Sequence, residues 1–270
     1  MLYSSLWPAR AEHTGVELGR GAHAVVYSVR GCDGSMIAVK QFRRRATEHA
    51  RGEEEFVFAH RCLAHAHVVR VLALDAAEGW LAMELVDSCS LAEVLDNSGA
   101  LREEHIVYAV TDVLAGLTAF HEHGVPHRDV KPGNVMQDRR SGRCKLVDWI
   151  GQAAEDESLR QGKPVGTPVF MAPEVAGRPH RHGIASDTWA LGCMVVNLAS
   201  GRLPWAEADT LGRTNEFMAM WRAAQGHAPP HNGAGWSAEL RAFVARCFEP
   251  DPARRAHAHE LRQDPLLETV

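Results

Sequence analysis

Hydrophobic positions change period once along this chain, and the change divides it. Up to about residue 86, β-branched and apolar residues come in short runs, Val25 to Val29, Met36 to Val39 and Val68 to Leu74, separated by glycine-bearing turns such as Asp33-Gly34. Runs of that length between turn signals predict strands. One helix is expected among them, from about Thr47 to Leu63. Glu53, Glu54 and Glu55 lie early in it, towards the positive end of the helix dipole, and apolar Phe56, Ala59 and Leu63 follow. After residue 87, Ile106, Val110, Val113, Leu114, Leu117 and Phe120 recur at helical spacing and predict a long, half-buried helix. A second helix is expected from an N-cap at Ser186 to Ala199, stopped at Ser200-Gly201, and a third carries Leu240, Val244 and Phe248. The pattern is α+β: a small β-rich part with one main helix, then a larger, mostly helical part, without internal repeat or low-complexity tract.

Composition narrows the class. The chain has 270 residues, 46% of them hydrophobic, enough for a sizeable buried core. Apolar stretches such as Leu191 to Leu198 fall well short of the roughly 20 residues that cross a bilayer. Met1 to Ala11 has neither a basic nor a sustained apolar region, so a secretory signal is not expected and a cytoplasmic location is. Six cysteines without a C-x-x-C pair read as reduced, isolated thiols. Histidines pair as His-x-His at 65/67, 121/123, 180/182 and 257/259, a spacing that does not put both rings on one helix face, so structural or exposed roles are expected rather than a metal. A net charge of -5 gives no reason to expect nucleic acid as a partner, and Arg43 to Arg45 read as a solvated face.

Three segments carry chemistry. Gly19-Arg20-Gly21-Ala22-His23-Ala24-Val25-Val26 lies between two expected strands, where glycines let backbone N–H groups approach a polyphosphate; an ordinary hairpin turn would look the same. The β-branched residues that follow it disfavour a dinucleotide site, which would need a helix there. Ile37-Ala38-Val39-Lys40 puts one lysine at the end of an apolar strand, where phosphates and a helix glutamate would balance it, although a lysine merely leaving a strand is an alternative. His127-Arg128-Asp129-Val130-Lys131-Pro132-Gly133-Asn134 gathers a base, a cation and a metal-ligating amide in one loop, and Asp148 follows the apolar Leu146-Val147. Phosphoryl transfer to a hydroxyl needs that set: a group to orient the nucleophile, a cation to neutralise phosphate charge, and oxygen ligands for Mg²⁺.

With Ala172-Pro173-Glu174, Asp187-x-Trp189-x-x-Gly192 and Arg255 in the same order, the sequence resembles the eukaryotic protein kinase family from about residue 14 to 268. The resemblance implies the bilobal kinase fold, an N-lobe to about 86 and a C-lobe from 87, and ATP and Mg²⁺ as required ligands. It implies that Gly19, Arg20, Gly21, Ala22, Ala24 and Val26 cover the nucleotide, with Ala38 beside it and Lys40 on the α- and β-phosphates. Met83 would be the gatekeeper, and Glu84 to Val86 the hinge to adenine. Asp129 would orient the substrate hydroxyl, Lys131 contact the γ-phosphate, and Asn134 and Asp148 bind Mg²⁺. Asp187 would brace the catalytic loop, and Glu174 would pair with Arg255. Lys131 and Gly166-Thr167-Pro168 are similar to serine/threonine-specific kinases, and the stretch from Val165 to Val175 with Leu203-Pro204-Trp205 is similar to MAP kinase kinase kinases. A downstream MAP kinase kinase is thus a possible protein substrate.

Two departures from the family stand out. The residue expected to pair with Lys40 falls at Phe56, so Glu55, with Glu54 second, is the expected partner. Asp148-Trp149-Ile150-Gly151 replaces Asp-Phe-Gly, and with β-branched Ile150 in place of glycine the aspartate is expected to stay turned into the nucleotide site. Ser158 is the expected regulatory phosphorylation site, with the acidic run Glu155, Asp156 and Glu157 as the alternative source of negative charge. A pseudokinase scaffold and a small-molecule kinase are the competing readings. Retention of Lys40, Asp129, Asn134 and Asp148 speaks against the first, and the Gly166-to-Glu174 segment against the second.

Overall fold

The computed structural model describes residues 15–21, 24–31, 34–42, 65–75, 79–149, 162–206, 215–233 and 235–269. The expected helix from 47 to 63 with Glu54, Glu55 and Phe56, together with Ala22, Ile150, Gly151 and Ser158, lies outside the described residues.

Five strands form the first layer: β1 (Val16–Arg20), β2 (Ala24–Arg30), β3 (Met36–Phe42), β4 (Val71–Asp75) and β5 (Trp80–Glu84). All pairings are antiparallel, in the order β1-β2-β3-β5-β4, with β3 central. The central strands read as continuous apolar runs because both faces of the sheet are covered. Ala38 and Phe42 of β3 join Leu81 and Met83 of β5 on one face, while Ile37 and Val39 join Trp80 and Ala82 on the other. Alternation along β3 therefore puts Lys40 on the face of Ala38 and Met83. The expected strand from Val68 to Leu74 is split. Val68 makes an isolated bridge to Leu146, and regular pairing begins only at Val71, because the chain at 67–69 hydrogen-bonds to Leu146 instead.

A three-stranded sheet of β6 (Ser88–Ser90), β7 (Val135–Asp138) and β8 (Cys144–Leu146) opens the second part, and helices follow. These are α1 (Leu91–Ser98), α2 (Glu103–His121), α3 (Pro173–Ala176), α4 (Ile184–Ser200), α5 (Glu216–Ala224), α6 (Ala238–Cys247) and α7 (Ala258–Leu261). The expected stripe on α2 is buried throughout: Ile106, Val110, Val113, Leu114, Leu117 and Phe120 all lie in the main core. That core is completed by Trp189, Leu191, Met194 and Leu198 of α4 and by Phe243 and Val244 of α6. The N-cap expected at Ser186 is corrected. The helix starts one turn earlier, after Gly183, and Ser186 caps it from inside by accepting the Gly183 N–H at 3.0 Å. Likewise α6 ends at Cys247, leaving Phe248 just beyond it, where its ring packs on Trp189 at 5.0 Å.

Gly116 shows how tightly the layers meet. A Cβ there would stand 2.8 Å from both the His67 carbonyl oxygen and Leu146 Cδ1, so only glycine lets α2 approach segment 65–69 and β8 this closely.

Candidate active site

The loop from His127 to Asn134 is held by its main chain. Asp187, buried at the first turn of α4, accepts the N–H of His127 (2.7 Å) and His121 Nε2–H (2.8 Å) on one oxygen and the N–H of Arg128 (2.9 Å) on the other. Burial pushes the Asp187 carboxyl up, but these hydrogen bonds and the histidines beside it outweigh burial and hold it below the usual carboxylate range. Arg128 has φ 71°, a conformation that strains a side-chain-bearing residue, and the Asp187 contact fixes it. His127 is buried, and burial keeps its imidazole below the ordinary histidine range. Its Nε2 lies 3.1 Å from the Val147 carbonyl, and its Nδ1 accepts the Asp129 N–H at 3.4 Å, which assigns the Nε2–H tautomer.

Asp129, Lys131 and Asn134 converge within this loop. Asp129 Oδ2 accepts Asn134 Nδ2–H at 2.8 Å and lies 2.7 Å from Lys131 Nζ. Its Oδ1 accepts the Thr167 hydroxyl at 2.7 Å, and Lys131 Nζ donates to that same hydroxyl at 2.7 Å. A carboxylate offers about four acceptor positions, so the three donors leave one on Oδ1. Thr167 can come this close because Gly166, at φ 96°, precedes it; a Cβ on Gly166 would lie 2.7 Å from the Arg128 carbonyl oxygen.

Lys40 faces this loop from the five-stranded sheet. Its Nζ lies 2.6 Å from Asp148 Oδ1, although their positions in the chain are far apart. The Lys40 charge, more than any other cause, holds the Asp148 carboxyl below its usual range. The Asp148 side chain remains 54% exposed, open towards the cleft. Asp148 itself has φ 63°, a conformation aspartate tolerates better than most residues. Trp149 packs edge-on against Phe120 of α2 at 6.0 Å. Asn134 spends its Nδ2 on the Asp129 carbonyl and carboxylate, so its amide oxygen is directed elsewhere. Asn134 and Asp148 thus offer hard oxygen donors, which fit Mg²⁺. Among the described residues, no group of three or more His, Cys, Asp or Glu could hold a metal ion.

Val26, Ala38, Met83 and Val147 lie in one apolar cluster. Glu84 is tied down: its N–H donates to the Arg70 carbonyl at 2.9 Å, and its carboxylate takes the Arg70 N–H at 2.8 Å and pairs with Lys145 of β8. Gly19 and Arg20 end β1, paired with Val26 and Val25 of β2, Gly21 follows the strand, and Arg20 is paired with Glu17 on the exposed strand. Sequence reasoning did not single out Leu18, 51% exposed beside Gly19, Val147, or Lys145. An apolar residue placed directly before a glycine turn was the available signal for Leu18; Lys145 had none, since its partner is set by the fold. Below the loop, Arg255 forks onto both Glu174 oxygens at 2.7 and 3.0 Å, as expected from the resemblance.

This arrangement is that of a protein kinase domain: the family described as "Protein kinase domain" matches residues 13–267, and the chain belongs to it. Its curated relatives include mouse mitogen-activated protein kinase kinase kinase 15, 32% identical over 94% of this chain and 19% of the relative. Human mitogen-activated protein kinase kinase kinase 5 is 32% identical over 93% of this chain and 19% of its own length. A probable serine/threonine-protein kinase of Dictyostelium discoideum is 34% identical over 93% of this chain and 39% of the relative. The chain therefore spans between about a fifth and two fifths of the length of these relatives. Among the described residues, no helix is long and apolar enough to cross a membrane.

Proposed function

We propose that the chain transfers the γ-phosphate of ATP to serine or threonine hydroxyls of protein substrates, a MAP kinase kinase among them, in the cytoplasm. The observation that carries this reading is the set of groups around Asp129: Lys131, Asn134 and Thr167 on its carboxylate, and the Lys40–Asp148 pair across the cleft. The apolar cluster of Val26, Ala38, Met83 and Val147 fits an adenine ring, with Leu18 covering it and the backbone of Glu84 to Val86 as its polar edge. Lys40 holds the α- and β-phosphates. The remaining acceptor position on Asp129 Oδ1 orients the substrate hydroxyl, whose oxygen bonds to the γ-phosphorus as the bond to the ADP oxygen breaks, and Asp129 takes the proton. Lys131 balances charge on the transferred group. Asn134 and Asp148 would hold Mg²⁺, which when bound neutralises charge on the phosphates. Resemblance to the MAP kinase kinase kinases supports the substrate class.

The test is phosphate transfer by the purified chain from labelled ATP, with Mg²⁺, to a generic basic protein and to a MAP kinase kinase, followed by identification of the phosphorylated residue type. Asp129→Asn and Lys40→Met should each lower turnover by about 10² to 10³. Wild-type turnover in either variant, with ATP still bound, would overturn the assignment.

A further inference from the structure

The His-x-His pair at 180/182 meets both ends of a segment that the site uses only in part. Segment 165–175 runs from Thr167, whose hydroxyl stands between Asp129 and Lys131, to α3, where Glu174 meets Arg255. Among the described residues, three ring N–H groups from outside the segment reach its main chain. His182 Nε2 lies 3.1 Å from the Val165 carbonyl oxygen, Trp205 Nε1–H donates to that of Val169 at 3.2 Å, and His180 Nδ1 lies 2.8 Å from that of Val175. A carbonyl only accepts, so the proton is on Nε2 in His182 and on Nδ1 in His180. Two histidines from one short stretch before α4 thus grip opposite ends of the segment.

The two ends are not held equally. Near Val175 the hold is redundant: Arg181 N–H donates to the Glu174 carbonyl at 3.1 Å, Val175 N–H donates to the Ala172 carbonyl at 3.0 Å, and Arg255 and Ser186 both donate to the Glu174 carboxylate. At the other end, among the described residues, no main-chain hydrogen bond reaches Val165 or Gly166. The His182 N–H on Val165 is followed along the chain by the Thr167 hydroxyl, 2.7 Å from both Asp129 Oδ1 and Lys131 Nζ. Between these anchors stands Gly166, at φ 96°, whose backbone turns more freely than that of other residues. Without the His182 donor, Thr167 loses the fixed point two residues before it. The cavity that His182 shares with Arg128, Asp129, Thr167, Ser186 and Asp187 is about 10 Å³, so the segment and the catalytic loop close around the ring with little slack.

We propose that His182 is a positioning residue for the protein substrate: by pinning Val165 it fixes the entry to segment 165–175, and with it the place of Thr167 and of the surface on which the substrate chain lies beside Asp129. This rests on the reading of the site as a protein kinase. Lys40, Asp148 and the apolar cluster proposed for adenine are carried by other elements, so ATP binding should not depend on His182.

The test compares the wild type with His182→Phe, His182→Gln and His180→Phe. It measures KM and kcat with a generic basic protein, KM for ATP, Tm and the Val165 ¹³C′ resonance. Phenylalanine keeps a ring and removes the donor, and glutamine returns an amide N–H close to where Nε2 stood. In His182→Phe the KM for the protein should rise about fivefold, the worth of one neutral hydrogen bond, with KM for ATP unchanged, and His182→Gln should come back to within about twofold of the wild type. The Val165 resonance should move in His182→Phe and return in His182→Gln. His180→Phe should lower the Tm and leave the KM for the protein unchanged, because that end has other anchors. An equal rise of KM in both phenylalanine variants, a parallel rise in KM for ATP, or no recovery with glutamine overturns the proposal. So does a ¹⁵N spectrum of the wild type that puts the His182 proton on Nδ1, which needs no variant. Absence of phosphate transfer to protein by the wild type itself would fault the kinase reading, and the Val165 resonance would still decide whether His182 pins the segment.

Discussion

Replacing Arg255 tests how the helical part holds its shape. The side chain is fully buried and donates five hydrogen bonds: two to Glu174 and one each to the carbonyls of Glu249, Ala185 and Pro250. Its guanidinium also stacks 5.1 Å from the Trp189 ring. Arg255→Met keeps most of the volume but leaves the mostly buried Glu174 carboxylate with only the Ser186 hydroxyl, at 3.0 Å, and strips three carbonyls of their donor. Breaking a buried pair from one side costs about 3–5 kcal/mol. At about 2–4 °C per kcal/mol for a domain of this size, the Tm should fall by roughly 10 °C. Arg255→Lys keeps the charge but not the planar fork and should lose about half as much. The deciding measurement is a double-mutant cycle with Glu174→Met by urea or thermal unfolding. Removing both partners leaves no unpaired charge, so the double variant should be more stable than Arg255→Met alone by about 1–2 kcal/mol. Additive losses in the cycle would refute the idea that the carboxylate and the guanidinium stabilise each other.

Two further outcomes follow from the geometry. Gly116→Ala should destabilise the fold by about 1–3 kcal/mol, because its methyl would meet main chain that cannot yield, and chemical denaturation would detect it. Stability should decline as pH falls below about 6.5: burial depresses the proton affinity of His127 in the folded state, so the unfolded chain binds more protons there, and a His127→Gln variant should show a flatter pH profile in the same thermal assay.

The residues legible in sequence were those whose meaning is local. The block from His127 to Asn134 carries its chemistry within one loop, and the α2 stripe follows from helical period alone. What stayed hidden depended on partners brought from elsewhere. His65 and His67 read as an unremarkable pair because their spacing suits no metal, and nothing local announces that Asp112 and Arg143 converge on one of them. Ser186 is a capping residue by type, yet whether it caps from outside or inside the first turn is decided by Gly183, whose extended backbone leaves its N–H to be satisfied. The strand expected from Val68 was interrupted because β8, distant in the chain, claims the backbone at 67–69.

Lys40 stands on the middle strand of a sheet whose core strands are filled on both sides. Such a slab bends little, so the Lys40 backbone cannot shift far without the strands around it tilting as one body. Asp148, by contrast, follows β8 of the three-stranded sheet. The gap between these two side chains therefore reports how far the five-stranded sheet stands from β8, and a cross-linker of fixed span between the two positions would read that single separation.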